Sequence, residues 1–263
     1  MTAATLIGGA VGGAVMGSAA GAALDRWPVG ETLIHPKRSR CATCSAALRG
    51  RDLVPVVSWL MLRGRCRSCG SRIDARLPAI ELAAAVGVAL TLQVHGITWL
   101  SVLLSFGVVG VLLATLTDLE AMIVPDRLTL PLGAIAVAGV GMASADRATL
   151  GTLAVWALGV PAALHSISRL SERMTGARPL GGGDVKLLVG VLALAAAIDH
   201  GPAAVLLLAV MGAGSVALLG IATGRLTRRD RIPFAPAIAA GYLTVVLAPA
   251  TAPAALMLLG GIS

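Results

Sequence analysis

Charged and aromatic residues are scarce in this 263-residue chain. Only 13% of its residues are charged and 3% are aromatic, whereas 57% are hydrophobic. The mean hydropathy is +0.88. A soluble domain of this length requires a far more polar surface, so these values exclude one. The sequence instead predicts an all-α protein that crosses a membrane several times.

Several catalytic motifs are also missing. The sequence has no His-Glu-x-x-His motif and no serine and histidine in a nucleophile context, so zinc-protease and serine-protease chemistry have no support. The first 24 residues have no basic start and run straight into a charged loop. We therefore interpret them as a membrane span rather than a secretory signal.

Polar interruptions divide the apolar sequence into about eight predicted transmembrane helices. Most of them reach the ~17–25 residues that a bilayer requires, but the sixth is short and is expected to be tilted or half-buried. We expect three parts: a first transmembrane helix at 1–24, a four-cysteine loop domain at 25–77 and a transmembrane domain at 78–263. The predicted spans are 4–24, 78–95, 97–117, 128–145, 149–167, 185–198, 202–222 and 235–259.

Lysine and arginine placement predicts the orientation of these spans. Twenty of the 21 basic residues fall in loops on one side, and only Arg147 lies opposite. Short basic loops stay in the cytoplasm, so we expect a multi-pass protein of the bacterial cytoplasmic membrane with the cysteine loop inside. The net charge of +8 then reflects topology and attraction to membrane lipid. Nucleic-acid binding is not expected, because interleaved aromatic residues are missing.

Glycines recur every four residues in the first span, at Gly9, Gly13, Gly17 and Gly21. This spacing leaves one helix face without side chains. The pattern favours close packing against another helix. The alternative is a groove that admits a substrate helix.

Four cysteines form two pairs, and 21 residues separate Cys44 from Cys66. Two such Cys-x-x-Cys turns, Cys41 with Cys44 and Cys66 with Cys69, present four thiolates in the manner of a zinc ribbon. Two disulfides are disfavoured in a cytoplasmic loop, and redox dithiols would not need two paired turns. The pattern predicts a structural zinc site in a zinc-ribbon-like loop domain.

Two carboxylates lie where predicted spans meet the cytoplasm. Asp118 ends the third span and Asp184 begins the sixth on the same side, so they can meet. Two carboxylates in one site do not both ionise easily, so one holds a proton while the other activates water, as in aspartic proteolysis. Gly181 and Gly183 are expected to permit positive φ and to let a peptide backbone approach.

Other charged residues have structural interpretations. Asp126 is expected to cap the fourth span, and Lys186 either tunes the local field or extends to the interface. Glu81 is expected in the first turn of the second span, where a helix dipole favours it. Two other functions stay open: a proton-coupled transporter that relays protons through Asp118 and Asp184, and an assembly factor with a zinc-ribbon anchor.

The chain resembles the bacterial type IV prepilin peptidases, membrane aspartic proteases that share a Gly-x-Gly-Asp motif. The resemblance covers nearly the whole chain. The residues that carry it are Cys41-x-x-Cys44, Ser58-Trp59-Leu60, Arg63-Gly64-Arg65-Cys66-Arg67-x-Cys69-Gly70, Glu81-Leu82, Asp118, Pro125-Asp126-x-Leu128-Thr129-Leu130-Pro131, Gly181-x-Gly183-Asp184-Val185-Lys186-Leu187-Leu188 and Pro233-Phe234-Ala235-Pro236.

The resemblance implies that Asp118 and Asp184 are catalytic. The expected reaction is removal of a basic leader from prepilins or pseudopilins at the cytoplasmic membrane face. Many members of the family also methylate the new N-terminus with S-adenosylmethionine. We expect the remaining residues of the matched acidic and glycine motifs to support the active site: Gly181, Gly183, Lys186, Asp126 and Glu81.

The first span departs from the family pattern. The family's sequence there is Gly-Ser-Phe-x-Asn, whereas this chain has Gly17-Ser18-Ala19-Ala20-Gly21. The phenylalanine and the asparagine are both missing. We therefore expect robust peptidase activity with weak or absent methylation, the alternative being that these positions only pack helices.

Overall fold

A computed structural model describes residues 2–27, 39–143, 147–176, 180–225, 227 and 232–248. Within these ranges the regular structure is helical. Pairing of extended residues is limited there to two isolated bridges, Arg40 with Ala47 and Arg65 with Arg72. The all-α prediction is confirmed for the described part of the chain.

Ten α-helices follow one another along the described ranges. A 3₁₀ turn at Gly50–Leu53 precedes the second helix, and a π-helical segment at Val155–Gly159 joins the sixth to the seventh. The helices are α1 (Ala3–Arg26), α2 (Val57–Met61), α3 (Arg76–His95), α4 (Trp99–Ala121), α5 (Asp126–Ala143), α6 (Arg147–Ala154), α7 (Val160–Thr175), α8 (Gly182–Ala195), α9 (Gly201–Ala222) and α10 (Ala235–Leu247).

Each of the eight predicted spans coincides with a helix or with the joined segment Arg147–Thr175. In the described residues, six of these are long and apolar enough to cross a membrane. The other two, α8 and α10, have 14 and 13 residues, or about 20 Å of helix against a hydrocarbon core of about 30 Å. Residues 144–145 and 249–259 of the predicted spans lie outside the described residues. Several spans are confirmed, and the count of eight stays a prediction.

The chain forms two compact units, Met1–Gln93 and Val94–Ser263. In the first unit, the glycine face of α1 packs directly on α3. A Cβ atom at Gly13 would overlap the carbonyl oxygen of Ala84, and one at Gly17 would lie 2.9 Å from the Cα of Glu81. Because backbone fills the space where side chains would stand, this face serves helix packing, as the spacing predicted.

In the second unit, α8 is the central helix. It packs against α4, α5, α7, α9 and α10. Leu187, Val191 and Leu194 are completely buried. The short predicted span 185–198 is therefore enclosed by helices of the protein itself. The enclosed position of α8 explains its apolar sequence. Asp184 lies at the amino end of this helix.

The sole tyrosine of the chain fixes α10 on α4. Tyr242 is fully buried and donates a hydrogen bond from its hydroxyl to the carbonyl of Leu104, at 3.0 Å. Gly107 leaves the space for the phenol ring, since a Cβ there would overlap the tyrosine hydroxyl. This contact fixes the middle of α10 against α4.

Candidate active site and cysteine cluster

Asp118 lies in the last turn of α4, and only 5% of its surface is exposed. The helix ends at Ala121. The next residue, Met122, adopts a left-handed conformation and donates its N–H to the carbonyl of Asp118. One carboxylate oxygen of Asp118 accepts a hydrogen bond from the backbone N–H of Ala235, at 2.9 Å. Ala235 is the first residue of α10, so the amino end of that helix, with its unpaired backbone N–H groups, faces the carboxylate.

Asp184 lies in the first turn of α8, just ahead of the predicted span 185–198. Burial, and secondarily the negative charge of Asp118, raise the pKa of Asp184 to about 6. Its Oδ1 atom is buried and meets no hydrogen-bond donor among the described residues. The two aspartates are thus close enough to interact. Asp118 accepts the N–H of Ala235, whereas the backbone hydrogen bond from Gly181 to Asp184 does not outweigh the effect of its burial.

The glycines before Asp184 act through their size. None of them adopts a positive φ, so that expectation is wrong; Gly181, for example, has a φ of −67°. A Cβ at Gly183 would lie 2.6 Å from the carbonyl oxygen of Val124, and one at Gly181 would lie 2.9 Å from Oδ2 of Asp184. Gly183 therefore lets α8 approach the segment after α4, and Gly181 leaves space beside the carboxylate.

Asp126 and Lys186 form an ion pair. Lys186 Nζ lies 2.6 Å from Asp126 Oδ1, and both side chains remain about half exposed. Asp126 is the first residue of α5, one position beyond the cap, so the predicted capping role is wrong. The lysine contacts this carboxylate, and both of its predicted roles, tuning the local field and extending to the interface, stay predictions. The pair links the amino ends of α5 and α8.

Glu81 belongs to the first unit and contacts the loop between the two cysteine pairs. Its Oε2 accepts a hydrogen bond from the N–H of Val56, at 2.6 Å. Because α3 begins at Arg76, Glu81 lies beyond the first helical turn where it was expected. Val56 has a φ of +61°, which is rare for a β-branched residue. The carboxylate thus holds a strained turn on the side of α3.

Two residues that contact this site were not among the predicted site residues. Ser168 on α7 is 1% exposed, and its hydroxyl donates to the carbonyl of Leu180, at 2.9 Å. The same hydroxyl accepts from the N–H of Leu180, at 3.2 Å. Leu180 directly precedes Gly181, so this serine holds the start of the Gly-x-Gly-Asp segment. Ala235, the second residue, contributes only its backbone, although the prolines around it signal a helix start.

The four cysteine sulfurs form one cluster in the first unit. All four Sγ atoms lie within 4.8 Å of one another, and those of Cys41 and Cys69 are 3.9 Å apart. A tetrahedral zinc with Zn–S bonds of about 2.3 Å needs sulfurs about 3.8 Å apart, so the cluster fits this metal. The pKa of Cys41 is lowered to about 6, mainly because the backbone N–H of Cys44 donates a hydrogen bond to its sulfur. This lowering favours the thiolate.

The two cysteine turns repeat the same backbone design 25 residues apart. In each, the residue after the second cysteine donates its N–H to the carbonyl of the first: Ser45 to Cys41 and Gly70 to Cys66, both at 2.9 Å. Both Ser45 and Gly70 are left-handed, with φ of +57° and +72°. The bridges of Arg40 with Ala47 and Arg65 with Arg72 close the two turns equivalently.

A helical membrane fold that brings two carboxylates together, one buried and one partly buried, is the arrangement expected of a membrane-embedded peptidase. The profile described as the Type IV leader peptidase family matches residues 105–221. The profile described as the Bacterial Peptidase A24 N-terminal domain matches residues 11–94. The chain belongs to the type IV leader peptidase family.

Named relatives agree with this assignment. A protein of Burkholderia pseudomallei named prepilin leader peptidase/N-methyltransferase is 37% identical over 82% of this chain and 69% of its own length. Proteins of the same name from Bacillus subtilis and Aeromonas hydrophila are 31% and 34% identical, over 84% and 80% of this chain and 86% and 71% of their own lengths. No solved structure gives a significant match.

Proposed function

We propose that Asp118 and Asp184 are the catalytic pair with which this peptidase removes the leader of a type IV prepilin or pseudopilin. The observation that carries the proposal is the contrast between two interacting carboxylates. Asp118 receives the Ala235 N–H at a helix amino end, and Asp184 is partly buried beside the negative charge of Asp118. The relatives' printed name supports the prepilin substrate.

The contrast assigns a role to each acid. Asp118 holds the negative charge and takes a proton from the attacking water. The resulting hydroxide adds to the scissile carbonyl carbon, while Asp184 gives its proton to the carbonyl oxygen. Breakdown of the tetrahedral intermediate then moves the proton from Asp118 to the leaving amine, and Asp184 recovers its own from the hydroxyl. The charges balance over the cycle, and both aspartates return to their starting protonation states.

The proposed site opens to the cytoplasm. The carboxyl end of α4 and the amino end of α8 carry the aspartates, and they flank the segments whose arginines and lysines predict the inner face. A leader that is itself basic stays on that face. The cut then falls where the substrate chain enters the membrane.

Substitution of each aspartate tests the pair. We expect Asp118→Asn and Asp184→Asn each to abolish leader cleavage in cells co-expressing a prepilin, without loss of protein from the membrane, because the two act as a unit. Asp126→Asn is the matched control, since its exposed ion pair contributes only about 0–1 kcal/mol. Substantial processing by either catalytic variant, or an inactive control with an active Asp118→Asn, would refute the assignment.

We also propose that the cysteine cluster binds one structural zinc ion per chain. Two equivalent turns and a set of sulfurs at the required spacing support this. Such an ion fixes the fold of the segment that holds it, because most of its binding free energy is folding free energy. Reduced, purified protein should contain one zinc per chain, and Cys66→Ser should release it. Metal analysis that finds no zinc would contradict the proposal.

N-methylation is proposed to be weak or absent in this chain. S-adenosylmethionine, the expected methyl donor, would find space in a cavity of about 970 Å³ that Ala19 lines, and Arg26 there offers a cation for its carboxylate. The described lining residues include no aromatic side chain to stack on adenine. Gly21, where the family has an asparagine, is not among the residues that line this cavity. It faces α3, and a Cβ atom at Gly21 would lie 3.1 Å from Cδ2 of Leu77.

Mass measurement of the processed pilin tests this expectation. Cleavage without the mass increment of a methyl group on the new N-terminus would support it. Stoichiometric methylation that depends on this chain alone would overturn it. The Ala19→Phe variant, which restores the family's residue beside the cavity, provides the comparison.

A further inference from the structure

An exposed apolar face lies in the otherwise polar segment between the two cysteine pairs. Val57, Leu60 and Met61 share one face of α2 because they stand at positions i, i+3 and i+4. Their exposed fractions are 50%, 61% and 77%. Leu53 and Val54, just before the helix, are each 44% exposed. These five residues form the α2 apolar face, and a cluster of this kind marks an interaction surface.

The opposite side of α2 is fixed to the second cysteine turn. The indole Nε1 of Trp59 donates to the carbonyl of Ile73, at 3.2 Å. Gly64 packs so closely on this indole ring that a Cβ there would lie 2.9 Å from its Cζ2 atom. With Trp59 held on the inner side, the α2 apolar face cannot turn inward to bury itself.

Contacts on both sides place this segment beside α1 and α3 rather than beyond their ends. Val56 bonds to Glu81, which lies within α3 rather than beyond its end. Leu53 and Pro55 line the same cavity as Val15 of α1. Along the helix, Val15 lies about 16 Å before Arg26, at 1.5 Å per residue. The chain entering α2 therefore lies beside the carboxyl-terminal half of α1, the half that leads into the cysteine domain.

Positive charge surrounds the α2 apolar face. Arg49, Arg51 and Arg63 flank it in sequence, and all three are exposed. The nearby carboxylate of Asp52 is already paired with Arg67, at 2.8 Å. An apolar surface with a cationic rim matches the boundary between acyl chains and anionic headgroups, where each arginine or lysine contributes about 1 kcal/mol.

We propose that the α2 apolar face inserts into the cytoplasmic leaflet and that its arginine rim binds anionic phospholipid headgroups. The cysteine domain is then a membrane-surface element tied to the bilayer independently of α1 and α3. This inference does not depend on the catalytic assignment, since it involves neither aspartate.

Photo-crosslinking in proteoliposomes tests the proposal on the full-length protein. A benzophenone amino acid replaces Met61 in one variant and Leu60 in a second, so that a folding defect in one does not decide the result. Leu218, 71% exposed on α9, is the positive control for lipid contact, and Ser68 on the second cysteine turn is the negative control. Vesicles contain phosphatidylcholine alone or mixed with phosphatidylglycerol.

We expect lipid adducts at Met61, Leu60 and Leu218 but not at Ser68. Adduct yield at Met61 should rise several-fold when phosphatidylglycerol is added, and Arg51→Gln with Arg63→Gln should remove most of this rise while the Leu218 adduct stays unchanged. Labelling at Leu218 without labelling at either α2 position would overturn the proposal. Adducts from Met61 to a second copy or to another protein would likewise overturn it.

Discussion

Replacement of Ser168 by alanine should slow catalysis although the serine contacts no reacting group. Its hydroxyl satisfies both the N–H and the carbonyl of Leu180, at 3.2 and 2.9 Å. Leu180 leads directly into Gly181 and the first turn of α8, where Asp184 lies. The serine is therefore a positioning residue for the proposed catalytic segment.

The size of the effect follows from the two hydrogen bonds. Each contributes about 0.5–1.5 kcal/mol, and an unsatisfied group that is only half-buried adds little further cost. A loss of about 1–3 kcal/mol for the two bonds together corresponds to a fall of roughly 5–150-fold in kcat. The KM should change little, since substrate groups distant from Asp184 are unaffected.

The assay is cleavage of a prepilin by purified protein, with kcat and KM measured separately. Ser166→Ala is the matched control, because Ser166 lies on the same helix, is exposed and bonds only to the carbonyl of Ala162 in its own helix. Ser168→Thr keeps the hydroxyl and should recover most of the activity. Wild-type kcat in Ser168→Ala, or an equal fall in Ser166→Ala, would refute the reasoning.

Three further predictions rest on other contacts. Ser45→Gly should stabilise the first cysteine turn by about 0.5–1 kcal/mol, because glycine relieves the left-handed strain at this position, and slower zinc loss to a chelator would show it. Gly13→Ala should destabilise the packing of α1 on α3 by about 1–3 kcal/mol, whereas Gly12→Ala, with open space around it, should not; equal melting temperatures would contradict this. Because burial, and secondarily the charge of Asp118, raise the pKa of Asp184 to about 6 in the free enzyme and its proton is needed, kcat/KM should fall about tenfold per pH unit above that value. A kcat/KM that stays flat as pH rises through that region would argue against Asp184 as the acid.

Local patterns in the sequence were sufficient for several features. The lengths of the apolar runs predicted where the helices lie, since a span needs a minimum number of apolar residues whatever surrounds it. The spacing of Cys41, Cys44, Cys66 and Cys69 predicted one cluster, because each pair forms its own tight turn and the two turns are alike. The glycine face of α1 predicted a close helix contact for the same local reason.

The partners of the functional side chains were decided only by the tertiary structure. Asp118 bonds to Ala235, more than 100 residues away in the chain, and Asp126 pairs with Lys186 where the sequence suggested a helix cap. In a membrane protein, lipid and core are both apolar, so hydrophobic periodicity does not tell which face of a helix turns inward. Which helix becomes central, as α8 does, and which side chains then meet at its end depend on how the helices pack together.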